Sequence, residues 1–420
     1  MRSLKFCSII YVIFFVLFLT LSCGLNPVYV HPEAEWNYLV YMAADNNLER
    51  FALENIKELQ KVGSNKKVNF LVLLDRSPKY KSGTNDWSGT KLMYISKNPH
   101  NFDDDVILSY DELDMTYSEN LYNFLIFANT YFPSKHTVLN LWSHGSGVSS
   151  DGKIPELGVK SIIQDWTSGY DKSMAIVDLK DVINRYESEA NKRINVLHFD
   201  ACDMQMLEVA YELKDTVDYL VGSETEMPGL GSNYEAIGTF LLNNPLSNVN
   251  EVATYITESS YEKYKASPRA ILALTSKFLS LSTIRTDALD EFVAEFNRIS
   301  DFILSLSDSE LTSFLEKRSV FSVINEYPEF CDLKEFLVSL QSFDLDVSNA
   351  LSLLDKVVTN FHTVGEVDGV SGISINIPYI KADFLKYADA GNRYRVLQFY
   401  KDTGFAKFLT RVKKYLDIQG

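Results

Sequence analysis

The sequence predicts an α/β fold in which a mostly parallel sheet is covered by helices on both faces. Apolar runs of strand length alternate along the chain with longer runs of helical character. Runs that are apolar throughout are typical of strands buried on both faces, and such strands occur mainly in parallel sheets with crossover helices. The chain has 420 residues, of which 46% are hydrophobic, so it contains enough apolar material for a large core.

The first half of the chain supplies most of the predicted strands. Strands are expected at Trp36–Ala44, Val68–Asp75, Lys91–Ile95, Val106–Leu108 and Thr137–Ser143, with the third and fourth as a hairpin and a helix at Ser118–Tyr131. Asp45 follows the first strand and is predicted to cap the next helix. A segment rich in Gly, Ser and Asp, from Gly145 to about Asp171, is predicted to be a loop.

The second half begins with the same alternation and then becomes mainly helical. Its predicted elements are a helix at Val177–Ala190, a strand at Ile194–Asp200, a helix from about Met204 to Leu213, and strands at Val217–Ser223, Ala270–Thr275 and Gly372–Ile377. We therefore divide the chain into a leader (1–22), a tether (23–35), a sheet-containing core (36–250) and a largely helical C-terminal region packed on it (251–420).

The leader has the pattern of an export signal. Arg2 and Lys5 precede an apolar run from Ile9 to Leu21, which is short for a transmembrane helix and suits a signal peptide. The run ends in Ser22-Cys23, which resembles the lipobox of bacterial lipoproteins, although Thr20 stands where that pattern prefers an aliphatic residue. Lipidation of Cys23 and membrane attachment are therefore expected, with cleavage to a soluble form and an uncleaved anchor as alternatives.

The number of cysteines and the net charge argue against two classes of protein, disulfide-stabilised domains and nucleic-acid-binding proteins. The four cysteines are Cys7, Cys23, Cys202 and Cys331, and the first two belong to the leader and the proposed lipid site. The remaining two cannot form a disulfide framework, although a single Cys202–Cys331 disulfide is an alternative. The formal net charge of −16, without a basic stripe, argues against a nucleic-acid partner.

Two residues with catalytic potential follow predicted strands directly. His144 and Cys202 each stand at a strand's carboxyl end, where open parallel sheets form their sites. A Cys–His pair can perform nucleophilic acyl transfer, with the imidazole taking the thiol proton. The backbone N–H groups of Gly145 and Cys202 would then form an oxyanion hole, and a helix starting at Cys202 would favour its thiolate. The pattern alone is equally compatible with Cys202 as a small buried core residue.

Five segments resemble a known family. They are Tyr41–Glu49, Leu141–Gly147, Phe199–Leu213, Val221–Gly229 and Gly372–Pro378. In this order they resemble the clostripain family of cysteine peptidases, in the same clan as caspases, gingipains and legumain. The resemblance implies a caspase-like three-layer αβα fold with His144 and Cys202 as the catalytic pair. Asp203 and Gln205 depart from the family pattern, and the charge of Asp203 would oppose thiolate formation.

The resemblance also implies processing and a possible metal. Family members are commonly cut by themselves in the loop between the His and Cys blocks, which here contains Lys153 and Lys160. Clostripain is associated with calcium, so calcium is expected by resemblance only. The residues themselves show no metal-ligand spacing and no phosphate-binding loop, so the sequence predicts no metal site and no cofactor. Asp165, in the predicted loop, is interpreted as a solvated acid.

Cleavage after Arg or Lys is expected from Asp200. This residue lies two positions before Cys202, so its carboxylate can share the strand face that leads into the cleft. A cationic side chain of the substrate would compensate its charge. The resemblance agrees, because the matching Asp is tied to the family's preference for basic residues. Glu224 and Glu226 would add negative charge to the same cleft, with exposed loop acids as the alternative. The alternative for Asp200 is a structural acid bonded to backbone N–H groups.

The combined prediction is an exported, lipid-anchored cysteine endopeptidase that acts on proteins or peptides with Arg or Lys. Its location is the periplasm or the cell surface, with the membrane contacted through the N-terminal lipid. A first alternative is a catalytically weak family member that binds proteins as a surface lipoprotein, which Asp203 favours. A second is an unrelated hydrolase or binding domain, which requires His144 and Cys202 to be far apart.

Overall fold

The computed structural model describes residues 29–79, 87–148, 160–169, 172–318, 324, 330–377 and 397–419. Within these ranges the strands are β1 (Ala34–Ala44), β2 (Val68–Arg76), β3 (Gly89–Tyr94), β4 (Val106–Ser109), β5 (Ser134–Trp142), β6 (Lys160–Gln164), β7 (Ser173–Ala175), β8 (Ile194–Asp200), β9 (Val217–Gly222), β10 (Leu279–Arg285), β11 (Phe330–Asp332), β12 (Val358–Val364) and β13 (Ser374–Asn376).

The helices flank these strands. They are α1 (Glu49–Val62), α2 (Ser118–Tyr131), α3 (Ile176–Ala190), α4 (Leu207–Leu213), α5 (Tyr234–Asn243), α6 (Val249–Lys265), α7 (Pro268–Ile271), α8 (Leu289–Ser305), α9 (Asp308–Arg318), α10 (Leu333–Ser339), α11 (Ser348–Val357), α12 (Gln398–Asp402) and α13 (Phe405–Gln419). In the part of the chain that the structure describes, no helix has both the length and the apolar character needed to cross a bilayer.

A nine-stranded sheet runs through the protein in the order β12-β10-β9-β8-β5-β1-β2-β3-β4. The five central strands, β9, β8, β5, β1 and β2, are parallel to one another, and antiparallel strands complete both edges. This mixed sheet with flanking helices confirms the predicted caspase-like αβα fold. The hairpin predicted from the apolar runs near residues 91 and 106 is also confirmed, as β3 and β4.

The central strands of the sheet are buried on both faces, as their apolar runs predict. Every residue of β1 is buried, and its side chains alternate between two cores. Tyr38, Val40 and Met42 pack with α1, α5 and α6, whereas Leu39 and Tyr41 pack on the opposite face with residues of α2, α3 and α4. The strand is therefore fixed from both sides, which gives its carboxyl end a defined position.

The C-terminal region departs from the prediction in two ways. The strand predicted at Ala270–Thr275 is wrong, because Pro268 opens the short helix α7 there. The strand lies instead at Leu279–Arg285. Its Ser280 and Ser282 are buried although they are polar, so the hydropathy of this segment does not indicate a buried strand. Together with β12, the strand β10 belongs to the main sheet. The main sheet therefore contains strands from both sides of the domain boundary proposed at residue 250.

Two elements near the predicted site also differ from expectation. The segment predicted as a loop between Gly145 and Asp171 contains β6, which pairs with β7. The helix predicted from Met204 begins at Leu207, with Met206 as its N-cap. Cys202 therefore precedes the helix rather than opening it.

Candidate active site

Strand pairing brings the two candidate catalytic residues to the same edge of the sheet. Trp142 at the end of β5 is paired with Asp200 at the end of β8. His144 and Cys202 each follow their strand by two residues, and neighbouring strands lie about 4.8 Å apart. Gly145 then packs directly on the Cys202 backbone, since a Cβ built on this glycine would lie 2.4 Å from the Cys202 carbonyl oxygen. Any larger residue at position 145 would separate the two segments.

The His144 imidazole is held by partners from two other segments. Its Nε2 lies 2.7 Å from Asn47 Oδ1, and its ring lies parallel to that of Trp166, with 6.0 Å between the ring centroids. An amide oxygen only accepts hydrogen bonds, so Nε2 carries the hydrogen and Nδ1 keeps the lone pair that can accept a proton. Burial lowers the pKa of His144 to about 4, so the resting imidazole is neutral.

The segments that hold His144 are tied to one another. Asn46 Nδ2 donates to the backbone carbonyls of Ala43 at 3.0 Å and Gln164 at 3.1 Å. The backbone N–H of Trp166 donates to the carbonyl of Asp45. The predicted helix cap at Asp45 is wrong, because its carboxylate accepts instead from the Thr167 N–H at 3.0 Å. The turn after β1 and the turn after β6 thus form one unit around the imidazole.

The Cys202 thiol lies in the turn between β8 and α4. Its Sγ accepts a hydrogen bond from the Met227 N–H at 3.2 Å, in the segment that follows β9. Burial, together with the charge of Asp203, raises the pKa of Cys202 to about 12, while the Met227 bond acts in the opposite direction. The predicted stabilisation of the thiolate by a helix dipole is wrong, because α4 starts five residues after Cys202 and is only 7 residues long.

In the resting structure the thiol and the imidazole are each bonded elsewhere. Among the residues that the structure describes, Cys202 bonds with Met227 and His144 with Asn47, and no hydrogen bond joins the two side chains. Both Cys202 and Cys331 are free thiols, so the alternative of a disulfide between them is wrong. Cys331 is fully buried in β11 and bonds with the carbonyl of Ile375.

Asp200 lies two residues before Cys202, and its hydrogen-bond partners among the described residues contact one carboxylate oxygen. Its Oδ2 accepts hydrogen bonds from the Ser232 N–H at 2.9 Å and the Tyr234 hydroxyl at 2.6 Å. Both of these bonds end on Oδ2, and the side chain retains 5% exposure. Beneath it, the buried His198 bonds through Nε2 with the Ser232 hydroxyl at 3.0 Å, as expected for a packed strand histidine. Asp200 therefore has a fixed orientation with Oδ1 left for a further partner.

The other two predicted substrate-binding acids lie in different environments. Glu224 is fully buried, and it accepts from the Ser280 hydroxyl at 2.7 Å and the Gly372 N–H at 3.1 Å. It is thereby enclosed by the C-terminal region rather than open to a substrate. Glu226 is half-buried, binds Thr275 through both carboxylate oxygens, and is close enough for its charge to raise the pKa of Cys202. Only Glu226 of the pair adjoins the nucleophile.

A comparison with protein-family profiles identifies the chain. The clostripain family profile matches residues 40–411, which is most of the sequence. The chain belongs to the clostripain family. Because this is a family of cysteine peptidases, the protein is a cysteine peptidase. A comparison with curated proteins finds no match.

Solved structures similar to this clostripain-family chain agree on the fold. One is a secreted C11 cysteine protease from Bacteroides thetaiotaomicron bound to an irreversible peptide inhibitor, with 24% identity, a TM-score of 0.64, and coverage of 88% of this chain and 99% of that one. An inactive zymogen C11 protease from Parabacteroides distasonis has 19% identity, a TM-score of 0.65 and coverage of 89% and 99%. A further secreted B. thetaiotaomicron protease, iotapain, has 18% identity, a TM-score of 0.64 and coverage of 89% and 100%.

The clostripain-like site contains three residues that the sequence analysis did not assign. Asn47 and Trp166 hold the imidazole, and the Met227 backbone holds the thiol. Asn47 and Met227 lie within segments that carry the family resemblance, which was the available signal. Trp166 gave no signal, because it follows a strand within the segment predicted to be a loop.

Four carboxylates beside the clostripain-like site could hold a metal ion. Asp45, Asp75, Glu112 and Asp165 each place an oxygen within 4.8 Å of the others. The sequence does not predict this group, because the four acids lie far apart along the chain. Asp165 is also fully buried, so its interpretation as a solvated loop acid is wrong.

Proposed function

We propose that this clostripain-family peptidase cleaves peptide bonds after Arg or Lys through Cys202 and His144. The observation that carries the assignment is the pairing of β5 with β8, which delivers both residues to one edge of the sheet with Gly145 packed between their segments. Nucleophilic acyl transfer requires a Cys and a His held close to one another, and the paired strands hold both residues at this edge.

The proposed reaction follows from the orientation of the imidazole. His144 Nδ1 takes the proton of the Cys202 thiol, and the thiolate attacks the substrate carbonyl carbon. The N–H groups of Gly145 and Cys202 stabilise the resulting oxyanion. The imidazolium then protonates the leaving amine as the C–N bond breaks, and water hydrolyses the thioester to regenerate the thiol. Asn47 keeps the required tautomer throughout, because its amide oxygen accepts from Nε2.

The specificity proposal rests on Asp200. This carboxylate lies near enough to Cys202 for its charge to act on the thiol, and in the described part of the chain the bonds from Ser232 and Tyr234 both fix it through Oδ2. Oδ1 would accept from the guanidinium or ammonium of the substrate residue before the scissile bond. The half-buried Glu226 would add negative charge to the same cleft.

A second candidate function is supported by Asp203. Its charge raises the pKa of Cys202, which disfavours the thiolate and fits a weakly active family member that binds proteins. Titration of the purified protein with a peptide ending in a reactive arginyl or lysyl group separates the two functions. Stoichiometric labelling of Cys202 supports the peptidase, whereas tight peptide binding without labelling supports the binding protein.

We propose self-cleavage after Lys153 in preference to Lys160. Lys153 lies outside the described residues, whereas Lys160 is the first residue of β6 and is paired with Ala175 of β7. A peptide bond must be free of strand pairing to enter a protease cleft, so cleavage after Lys160 requires this small sheet to open.

Lys153→Ala is expected to leave the purified chain in one piece, because it removes the preferred basic residue. Gel electrophoresis and intact mass measurement during incubation follow the outcome. Lys160→Ala is the matched control, since it removes a lysine from the same segment and should be cut like the wild type. Cleavage of Lys153→Ala at an unchanged rate and position would contradict the proposed site.

We propose export and lipid anchoring through Cys23. The support is the leader pattern at residues 1–22, together with the two similar Bacteroides thetaiotaomicron proteases, which are secreted. Cys23→Ala is expected to move the protein from the membrane fraction to the soluble exported fraction and to abolish labelling with a radioactive fatty acid. Cys331→Ala is the matched control and should change neither. Fatty-acid labelling that persists in Cys23→Ala would contradict the proposed attachment site.

A further inference from the structure

One edge strand of the main sheet is open on its outer side and carries no charge. β12 is the last strand on its side of the sheet and pairs antiparallel with β10. Among the residues that the structure describes, no backbone hydrogen bond reaches its outer side. Its 7 residues include no Asp, Glu, Lys, Arg or Pro, whereas β4 at the opposite edge is only 4 residues long. Proteins commonly protect an edge with charges, proline or a short strand, because open N–H and C=O groups pair readily with another strand.

The residue order of β12 is nearly the same in both directions. The strand reads Val-Thr-Asn-Phe-His-Thr-Val, with Phe361 at its centre. When two copies pair antiparallel about a two-fold axis at Phe361, residues at equal distances from the centre face each other. The facing pairs are then Val358 with Val364, Thr359 with Thr363, Asn360 with His362, and Phe361 with its own copy. Thr–Thr and aromatic pairs stabilise antiparallel strands, and no like charges face each other.

Two polar atoms of β12 lack a partner within one chain. Asn360 Oδ1 and His362 Nε2 are buried and form no hydrogen bond among the described residues. Both side chains lie against α6, where Asn360 Nδ2 donates to Glu258 at 3.4 Å and the His362 ring stacks on Tyr261 with 4.5 Å between centroids. An amide oxygen accepts hydrogen bonds and an imidazole N–H donates them.

The second copy supplies the missing partners. The register centred on Phe361 places Asn360 of one copy opposite His362 of the other, on the same face of the sheet, and the two-fold axis repeats this pair. Rotation about χ2 would turn the half-buried amide and imidazole towards each other. The strand therefore complements itself in its polar atoms as well as in its residue order.

The ends of the strand are also compatible with self-pairing. The pairing of β12 with β10 is regular from Asn360 to Val364, and its irregularity falls at Thr359, outside the central residues. The nearest charged residues are Lys356 before the strand and Glu366 after it. Antiparallel pairing brings the start of one strand to the end of the other, so residues of opposite charge approach each other at both ends.

We propose that two copies of this chain pair through β12, antiparallel and with the two-fold axis at Phe361, so that one continuous sheet crosses the dimer. The central strands of the two copies then run in opposite directions, and the carboxyl ends that precede His144 and Cys202 lie at opposite edges of the joined sheet. The interface does not rest on the proposed function. A strand pair is small beside the roughly 1,200–2,000 Å² of a stable interface, so dissociation is expected at micromolar concentrations.

Sedimentation of the full-length Cys202→Ala protein at about 1–100 µM measures the association. Thr359→Lys/Thr363→Lys places like charges opposite each other at two points and is expected to raise the dissociation constant at least about tenfold. Thr359→Lys/Thr363→Glu changes the same two positions but places opposite charges together, so it should associate at least as tightly as the parent. All variants carry the same leader, so association through residues 1–22 is common to them, and thermal unfolding checks that each one folds.

The matched control is Asn243→Lys/Asn250→Lys, which adds the same charge at two exposed positions outside β12 and should associate like the parent. The proposal is overturned where the parent stays monomeric at about 100 µM, or where the two Thr359/Thr363 variants associate equally. A monomeric parent that binds an unrelated extended peptide, such as an alternating Val–Thr decapeptide, would assign the edge to another protein and overturn self-pairing.

Cross-linking measures the register. Thr359→Cys and Thr363→Cys are purified separately in the Cys202→Ala background, mixed and oxidised. Facing residues of antiparallel strands lie about 4.5–5.5 Å apart between Cα atoms, within the range that a disulfide spans. The mixture should therefore form linked dimers faster than either variant alone, and Asn243→Cys gives the background rate. Equal rates in the mixture and in the separate variants would refute the register centred on Phe361.

Discussion

Replacement of Cys202 by Ala is expected to abolish peptide hydrolysis while the protein stays folded. The thiol is the only group in the proposed mechanism that forms a covalent bond with the substrate, so its loss should lower kcat by about 10⁴-fold or more. His144→Ala should have an effect of similar size, because the pKa of Cys202 is raised to about 12 and the thiol therefore needs a base. The double variant should be no worse than either single one.

The measurement is hydrolysis of a chromogenic arginyl peptide, with thermal unfolding as the check on folding. Cys331→Ala and His100→Ala are the matched controls, since the first removes the other free thiol and the second an exposed histidine. Both should retain kcat within a few fold. Hydrolysis that survives in a pure Cys202→Ala preparation would remove the assignment of the nucleophile.

Asp200→Asn is expected to lose cleavage after Arg and Lys selectively. Removing the charge from a desolvated ion pair costs about 2–5 kcal/mol, which corresponds to roughly 30- to 5,000-fold in kcat/KM for basic substrates. Cleavage after an uncharged residue of similar length, such as citrulline or norleucine, should change much less. The ratio of kcat/KM for arginyl and citrullyl peptides is therefore the quantity to measure.

Two control variants separate specificity from structure. Tyr234→Phe removes the hydrogen bond of 2.6 Å to Asp200 but keeps the carboxylate, so it should lower stability and retain the preference for basic residues. Asp203→Asn removes a neighbouring charge at a left-handed position (φ 60°) that Asn also tolerates, and it should retain the preference as well. A wild-type enzyme that prefers apolar residues, or an Asp200→Asn enzyme with an unchanged ratio, would refute the role of Asp200.

The strands around the site could be predicted because the apolar residues that indicate their burial are adjacent in the sequence. β1 and β2 contain unbroken apolar runs, Tyr38–Ala44 and Phe70–Leu74, and in β5 and β8 a single polar residue, Asn140 or His198, interrupts the run, so the pattern itself indicates burial on both faces. The position of β10 could not be read in this way. Its Ser280 and Ser282 are buried because Glu224, Gln205 and Gly372, all distant in sequence, provide their hydrogen bonds. The hydropathy of a segment contains no information on hydrogen-bond partners from distant segments.

The same distinction between local features and contacts from distant segments applies to the candidate site. The sequence by itself determined that His144 and Cys202 follow strands, because strand ends are local features. It left open the environment of each acid, and only the tertiary structure decided that Asp200 is anchored by Ser232 and Tyr234.

The partners of the imidazole and the grouping of Asp45, Asp75, Glu112 and Asp165 were decided by the tertiary structure alone. Asn47 lies 97 positions before His144 in the sequence, and the four carboxylates lie between positions 45 and 165. The physical reason is the strand order β8-β5-β1-β2, in which crossover connections place strands that are distant in sequence side by side. Charges and hydrogen bonds act over a few ångströms of space, so their partners become defined only when the sheet is assembled.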